Sequence, residues 1–338
     1  MSTQRGRIQI SGFDADRVDQ ADEAIWDDDE ETAVMSRRQR IVQQLIHDKL
    51  ALIGVVFVVL MIFTVIFSRP VTIMGTTVQP FELVPYDVQR TGVGDRYESP
   101  SLDHLMGTDR LGRDMFSRVM AGARYSVTIG FIVTAIAATV GVIFGSISGY
   151  FGGIVDEIMM RILDVVFAFP GLILALLLVA MFGGGFWQLT LAFVLPGWAI
   201  YARLIRGEIL KVKQNEYVLA AKALGARDRG VLFKHVVPNA IAPVIVQATL
   251  SIGTVVIGVA ALGFLGLGFD PGTPEWGTIL DAEQDTLMSG PDADWHWWAT
   301  VFPGLMIFIF VMSMNMIGDA VNDALDAQVD NINHGGGG

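Results

Sequence analysis

The hydrophobic positions of this chain fall into five uncharged runs: Leu50–Phe67, Tyr125–Val155, Val165–Ala202, His235–Phe269 and Trp295–Gly318. A helix needs roughly 20 predominantly apolar residues to cross about 30 Å of hydrocarbon, and each run is long enough for at least one crossing. As a single helix the third would measure about 57 Å at ~1.5 Å per residue, which is too long for one span. Gly183, Gly184 and Gly185 divide it in two. The pattern therefore predicts an all-α polytopic membrane protein with six transmembrane helices, near residues 50–67, 127–149, 160–182, 186–206, 241–268 and 299–318.

The polar positions orient these spans. Eight of the nine Lys and Arg residues after Tyr125 lie between Arg203 and Lys234, and short basic loops stay on the cytoplasmic side. By alternation both termini are cytoplasmic, and the loops 68–124 and 269–298 are external. The second of these has no Lys or Arg but carries Asp270, Glu275, Asp281, Glu283, Asp285, Asp292 and Asp294, while Arg37, Arg38, Arg40 and Lys49 precede the first span. Arg110, Arg113, Arg118 and Arg124 run against the rule on the external side. With Asp109 and Asp114 they read as a partly paired interfacial helix within the 68–124 loop.

Net charge is −12, and the first 36 residues hold ten acidic residues against three Arg. Such a segment buries too little apolar surface to fold alone, so 1–36 reads as a disordered cytoplasmic tail. Residues 37–49 form a basic lead-in to the first span, and 328–338, ending in four glycines, a flexible tail. The acidic start lacks the layout of a cleaved signal peptide, so the first hydrophobic span is expected to be retained.

Chemistry is largely excluded. Without cysteine there is no disulfide or thiolate metal site. The chain has no GxxxxGK[ST], HExxH or GxSxG, and its five histidines are scattered. ATP hydrolysis by a phosphate loop is ruled out, and no catalytic residue, metal site, cofactor or nucleic-acid partner is expected. The spans hold almost no ionisable residue at mid-depth, which disfavours an ion-coupled carrier. What they carry instead is small-residue geometry. Gly141, Gly145 and Gly149 recur every four residues along one helix face, and Gly266 and Gly268 thin the end of the fifth span, so these positions are expected to pack helix on helix.

The basic loop, 207–240, has structure of its own. Asn215–Leu224 is rich in helix formers, Gly225 breaks the pattern, and a second helical stretch opens near Arg227. Ala220, Ala221 and Ala223 make a slim helix ringed by Lys211, Lys213, Lys222, Arg227 and Arg229, with Tyr217, Val218, Leu219 and Leu224 reading as buried. A docking helix for a soluble partner explains this better than a merely solvated loop.

At these residues the chain resembles a known family. Tyr217–Ala226 followed by Pro238 resembles the coupling signature of permease subunits in ATP-binding-cassette importers. His104–Asp114 with Gly122–Ser126, and Phe264–Gly268 with Pro274–Gly277, are similar to blocks of the dipeptide/oligopeptide/nickel permeases. The early first span and the long loop after it resemble the second, C-type subunit. Leu219 stands where the signature glutamate is common, so docking by shape is carried over and a glutamate salt bridge is not. The resemblance implies a type I importer permease (MetI-like) fold with a five-helix core over 125–327. It also implies a second permease subunit as heterodimer partner, two cytoplasmic ATPases and an extracytoplasmic solute-binding protein. It assigns ATPase coupling to Tyr217, Leu219, Ala220, Ala221, Lys222, Gly225, Ala226 and Pro238, in a multi-pass protein of the cell membrane. The implied cargo is dipeptides or oligopeptides, with nickel or oligosaccharides as alternatives on the same machinery and an ATPase-independent secondary carrier as the alternative class.

Overall fold

The computed structural model describes residues 37–67, 71–73, 76–78, 84–289 and 295–334. The acidic segment 1–36 and the four terminal glycines lie outside the described residues. The chain opens with α1 (Arg37–His47) and α2 (Lys49–Phe67), then a small hairpin of β1 (Val71–Ile73) and β2 (Thr76–Val78) in which Val71 pairs with Val78. An irregular stretch over 84–114 leads to the long α3 (Met115–Phe151). Then come α4 (Gly153–Phe167), α5 (Gly171–Phe182), α6 (Phe186–Val212), α7 (Glu216–Ala223) and α8 (Asp228–Val231). A π-helical turn (Leu232–Val236), α9 (Val237–Ala240), α10 (Ala242–Phe264), α11 (Trp276–Ala282), α12 (Gln284–Ser289) and α13 (Trp298–His334) complete it.

Five helices, α2, α3, α6, α10 and α13, are each long and apolar enough to cross a membrane, and α4 with α5 makes a sixth span only as a pair bent by 76°. The continuous third span expected over 160–182 is thus broken. Pro170 has no N–H and pushes Phe169 out of the helical region, so the α4 ladder ends with Ala168 donating to Asp164 (3.0 Å) and Phe169 to Val166 (3.4 Å). Three other boundaries move. The second span starts at Met115 rather than near 127, because the Asp114 carboxylate caps it by accepting from Ser117 N at 2.7 Å. The last helix continues to His334, so 328–334 are helical. The external loop 269–298 holds two short helices, α11 and α12.

The bundle is organised by one close crossing. A Cβ placed on Gly141 would lie 2.5 Å from the Trp198 carbonyl oxygen, one on Gly149 3.0 Å from that of Arg206, and one on Gly145 against the Ala202 carbonyl. Trp198, Ala202 and Arg206 are spaced like the three glycines, so one four-residue row on α3 lies directly on another on α6. Small residues on such a row let two backbones approach where no hydrophobic effect drives association. Gly268 is close-packed, but within one helix end: its Cβ position lies 2.6 Å from the Cα of Gly263, five residues earlier on α10. Gly266 differs. Nothing lies within 4 Å of its Cβ position, and its φ of +72° makes it a helix-terminating turn, not a contact.

The end of the bundle away from the basic loop is capped by the 84–114 segment and α11. The interfacial helix expected around Arg110–Arg124 is absent there: 84–114 is irregular, and Arg118 and Arg124 belong to α3. The pairing is real and buried. Asp109 accepts from Arg113 Nε at 2.6 Å and lies 3.6 Å from Arg118 Nε. Glu275, fully buried, caps α11 by accepting from Thr278 N (2.9 Å) and takes a hydrogen bond from Ser126 Oγ on α3 (2.9 Å). Trp276 donates from Nε1 to the Val119 carbonyl (2.9 Å), and its ring is wholly buried. These bonds tie the cap to α3.

Gly145→Ala should lower the stability of the purified protein by about 1–3 kcal/mol, since the obstruction is backbone and not a movable side chain. Gly207→Ala on α6, with nothing near its Cβ position, should leave it unchanged or slightly higher; thermal unfolding in detergent reads both.

Candidate coupling site on the basic loop

The basic loop is built on the far ends of α3, α4 and α6. Asp156, in the first turn of α4, accepts from Arg206 Nε and Nη2 of α6, both at 2.6 Å, and from Ser148 Oγ of α3 at 2.5 Å. A two-pronged guanidinium–carboxylate pair fixes angle as well as distance. Lys213 Nζ, just past the end of α6, donates to the Gly149 carbonyl at 2.7 Å. Gly149, the last of the glycine row, thus receives both the α6 backbone beside it and a cation at its carbonyl. Three helix ends are locked at one place.

On this platform α7 is held by two contacts and α8 by a third. Val218 is fully buried in a cluster with Tyr150, Ile209, Val231, Leu232 and Val236. Lys222 Nζ sits 4.5 Å above the Tyr150 ring, a contact worth about 0.5–1 kcal/mol where solvent reaches it. The Tyr150 hydroxyl donates to Asp228 Oδ1 at 2.7 Å, binding the following α8 to the same ring. The helix stops by a Schellman motif: Gly225 N donates to Lys222 O (2.9 Å) and Ala226 N to Ala221 O (3.1 Å), with Gly225 at φ +81°. Glu216 stands in the first turn and Lys222 in the last, the arrangement the helix dipole favours. The π turn before Pro238 has a local cause, since residue 238 has no N–H to return to Lys234 and Val237 donates instead to Leu232.

The structure therefore brings Tyr217, Leu219, Ala220, Ala221, Lys222, Gly225 and Ala226 into one short helix and its cap. Pro238 stands apart at the start of α9 and is exposed. The expected burial of the apolar residues holds only for Val218. Tyr217 is 45% exposed, Leu219 54% and Leu224 88%. Val218 and Ala221 turn to the bundle, which leaves the other apolar side chains on the outer surface. Asp156, Arg206, Tyr150 and Asp228 were not singled out in the sequence, and Lys213 only as one of the cations ringing α7. The one available signal was that Asp156 closes one uncharged run and Arg203 and Arg206 close the next with opposite sign.

At the capped end Glu283 is 1% exposed, with the Tyr97 hydroxyl and the Arg110 backbone beside its carboxylate. Burial, reinforced by the negative Asp109, pushes its pKa up to about 7.

With this geometry in view the family can be stated. The chain belongs to the family described as the binding-protein-dependent transport system inner membrane component, which it matches over residues 141–331. It is a permease subunit with the MetI-like fold, a multi-pass membrane protein. It is 36% identical over 302 residues to the dipeptide transport system permease protein DppC of Alkalihalophilus pseudofirmus, covering 89% of this chain and 93% of that one. It is 36% identical over 316 residues to the oligopeptide transport system permease protein OppC of Bacillus subtilis, covering 94% of each. To the glutathione transport system permease protein GsiD of Shigella dysenteriae it is 38% identical over 281 residues, 83% of this chain and 87% of that one.

Because Glu283 takes up its proton more readily folded than unfolded, stability is greatest below about pH 4.5 to 5 and declines as pH rises towards about 7. The decline attributable to this group is on the order of 3 kcal/mol at most. Glu283→Gln should flatten the slope of melting temperature against pH across that window; an identical slope in the variant would remove Glu283 as its source.

Proposed function

We propose that this chain is the C-type transmembrane subunit of an ATP-driven importer of short peptides, forming the translocation path with a second permease and carrying no catalysis of its own. The observation that bears most weight is the outer surface of α7. A short helix fixed to the bundle by Val218 and Lys222 presents Tyr217, Leu219 and Leu224 to solvent, and grouped apolar side chains on a charged loop mark a protein contact. The positive-inside rule puts this face and both termini in the cytoplasm, where two ATPases would dock. The acidic, capped end then faces outward to a solute-binding protein.

In this reading the coupling residues Tyr217, Leu219, Ala220, Ala221, Lys222, Gly225 and Ala226 enter a cleft on the ATPase, with Pro238 setting the return into α9. Contact is by shape and apolar surface, since Leu219 offers no charge. The Asp156–Arg206 pair and the Lys213–Gly149 bond join the ends of α3, α4 and α6, and buried Val218 with Lys222 over the Tyr150 ring joins α7 to them, so a push on α7 moves those helices together and alternates access. Peptides are the proposed cargo because the named relatives are dipeptide, oligopeptide and glutathione permeases. Co-purification tests the assembly: an ATPase, a second permease and a peptide-loaded binding protein should accompany the chain. Recovery of the chain alone through several detergents would favour a secondary carrier, and a binding protein loaded with nickel or an oligosaccharide would replace the cargo.

Gly225→Val places a β-branched residue at φ +81°, a strain of about 1–2 kcal/mol. The complex should still assemble, while substrate-stimulated ATP hydrolysis falls roughly tenfold, the rate equivalent of that strain. Unchanged stimulation in the reconstituted complex would contradict the coupling role of this helix.

A further inference from the structure

Two ion pairs join α4 to α6, and they differ in kind. Asp156–Arg206 is two-pronged at 2.6 Å, with side chains 18% and 28% exposed. Asp164–Arg203 has a single contact, Nη2 to Oδ1 at 3.3 Å, and its side chains are 57% and 54% exposed. The first pair is a structural lock. The second has capacity to spare: among the described residues the Arg203 guanidinium spends one of its five N–H groups on Asp164, and Asp164 Oδ2 accepts nothing. An exposed pair of this sort adds little stability, so it parts readily.

Its position gives it a use. A cavity of about 420 Å³ lies among α3, the α4–α5 break, α6 and α10, and no lining residue is Asp, Glu, Lys, Arg or His. Phe167 and Ile200 belong to its wall. Asp164 stands three residues before the one and Arg203 three after the other, so both lie about one helical turn nearer the basic loop. The Arg203 guanidinium carbon is 4.1 Å from the centre of the Phe167 ring, which places the pair at the mouth of the cavity. Arg203 is also about 26 Å along α6 from Phe186 at ~1.5 Å per residue, which is the inner edge of a hydrocarbon layer about 30 Å thick. Ionisable side chains at such a depth face a water-filled path or a partner and not lipid tails, and they mark the routes of substrates.

We infer that Asp164 and Arg203 form the exit site of the path, where the pair parts to take the two ends of a zwitterionic peptide, the ammonium on Asp164 and the carboxylate on Arg203. The apolar wall of the cavity holds nothing for either charge, so the mouth is where the ends of the cargo first meet charges of opposite sign. Every short peptide carries both ends whatever its side chains, and the site therefore reads chain ends and ignores sequence. Once the peptide leaves, the two side chains close on each other again. This inference rests on the peptide-importer reading and on the cytoplasmic placement of the basic loop.

The test uses the full complex in phosphatidylcholine nanodiscs without its binding protein, and measures equilibrium binding of radiolabelled tri-alanine and of N-acetyl-tri-alanine amide, which lacks both end charges. Wild type should bind tri-alanine more tightly than the blocked peptide. Arg203→Gln and Asp164→Asn should each weaken tri-alanine binding on the order of tenfold, the low end for a hydrogen bond to a charged group, and leave the blocked peptide unchanged. Arg203→Lys, which keeps the charge, should recover part of the loss. Equal tri-alanine affinity in Arg203→Gln and wild type would overturn the inference. So would an equal loss for both peptides, the mark of a merely structural pair, or no saturable binding to wild type because lipid headgroups hold the two charges. ATP-driven uptake of tri-alanine by wild-type proteoliposomes supplied with the binding protein separates the two readings: uptake alongside variants that bind normally removes this site alone, and no uptake removes the peptide reading itself.

Discussion

The contact of the α3 and α6 backbones at Gly141, Gly145 and Gly149 is the constraint on which the rest of the structure depends. In a bilayer there is little hydrophobic gain from joining two apolar helices, so proximity has to come from the absence of side chains along one row. With the axes set that close, the ends of the helices fall into register. Arg206 then reaches Asp156 with two nitrogens and Lys213 reaches the Gly149 carbonyl. A residue with any side chain at Gly145 would displace the Ala202 carbonyl and, through it, the ion pair one turn further along.

From that register follows the placement of the basic loop. Tyr150 is the last aromatic residue of α3 before its terminal Phe151, and it serves two partners at once: its ring lies under Lys222 and its hydroxyl bonds Asp228. The loop is therefore built on the end of α3 at two points, on either side of Gly225. At the opposite end Glu275, Ser126 and Trp276 perform a similar task, fastening α11 to α3, while Arg118 beside Asp109 holds the 84–114 segment there. One helix is gripped at both ends and along its middle, which is how an event at one face of such a bundle can be felt at the other.

Much of this was legible in the chain. The uncharged runs located the five helices long enough to cross a membrane and the bent α4–α5 pair, and Gly183–Gly185 marked the division of the longest run because a break in periodicity is visible without coordinates. The glycine row was visible for the same reason. The bend at Pro170 was overlooked, since apolarity says nothing about backbone continuity, although the proline itself was in view. The Asp156–Arg206 lock joins residues fifty positions apart, and such pairing is set by the crossing angle, not by local pattern. Burial of Tyr217, Leu219 and Leu224 was inferred from their apolar character alone. A surface awaiting a partner and a surface turned to the core have the same composition, and only the fold distinguishes them.

The central claim is that α7 and the ends of α3, α4 and α6 move as one body. The chain has no cysteine, so a pair of cysteines introduced at Glu216 and Ile154, both exposed, accepts spin labels at those two places alone in this subunit. The distance between them should stay the same in the assembled complex with and without bound ATP, while the distance from Glu216 to a label on the second permease changes. A shift within this chain of a helical turn, about 5 Å, would mean that α7 swings on its own and that the lock beneath it transmits nothing.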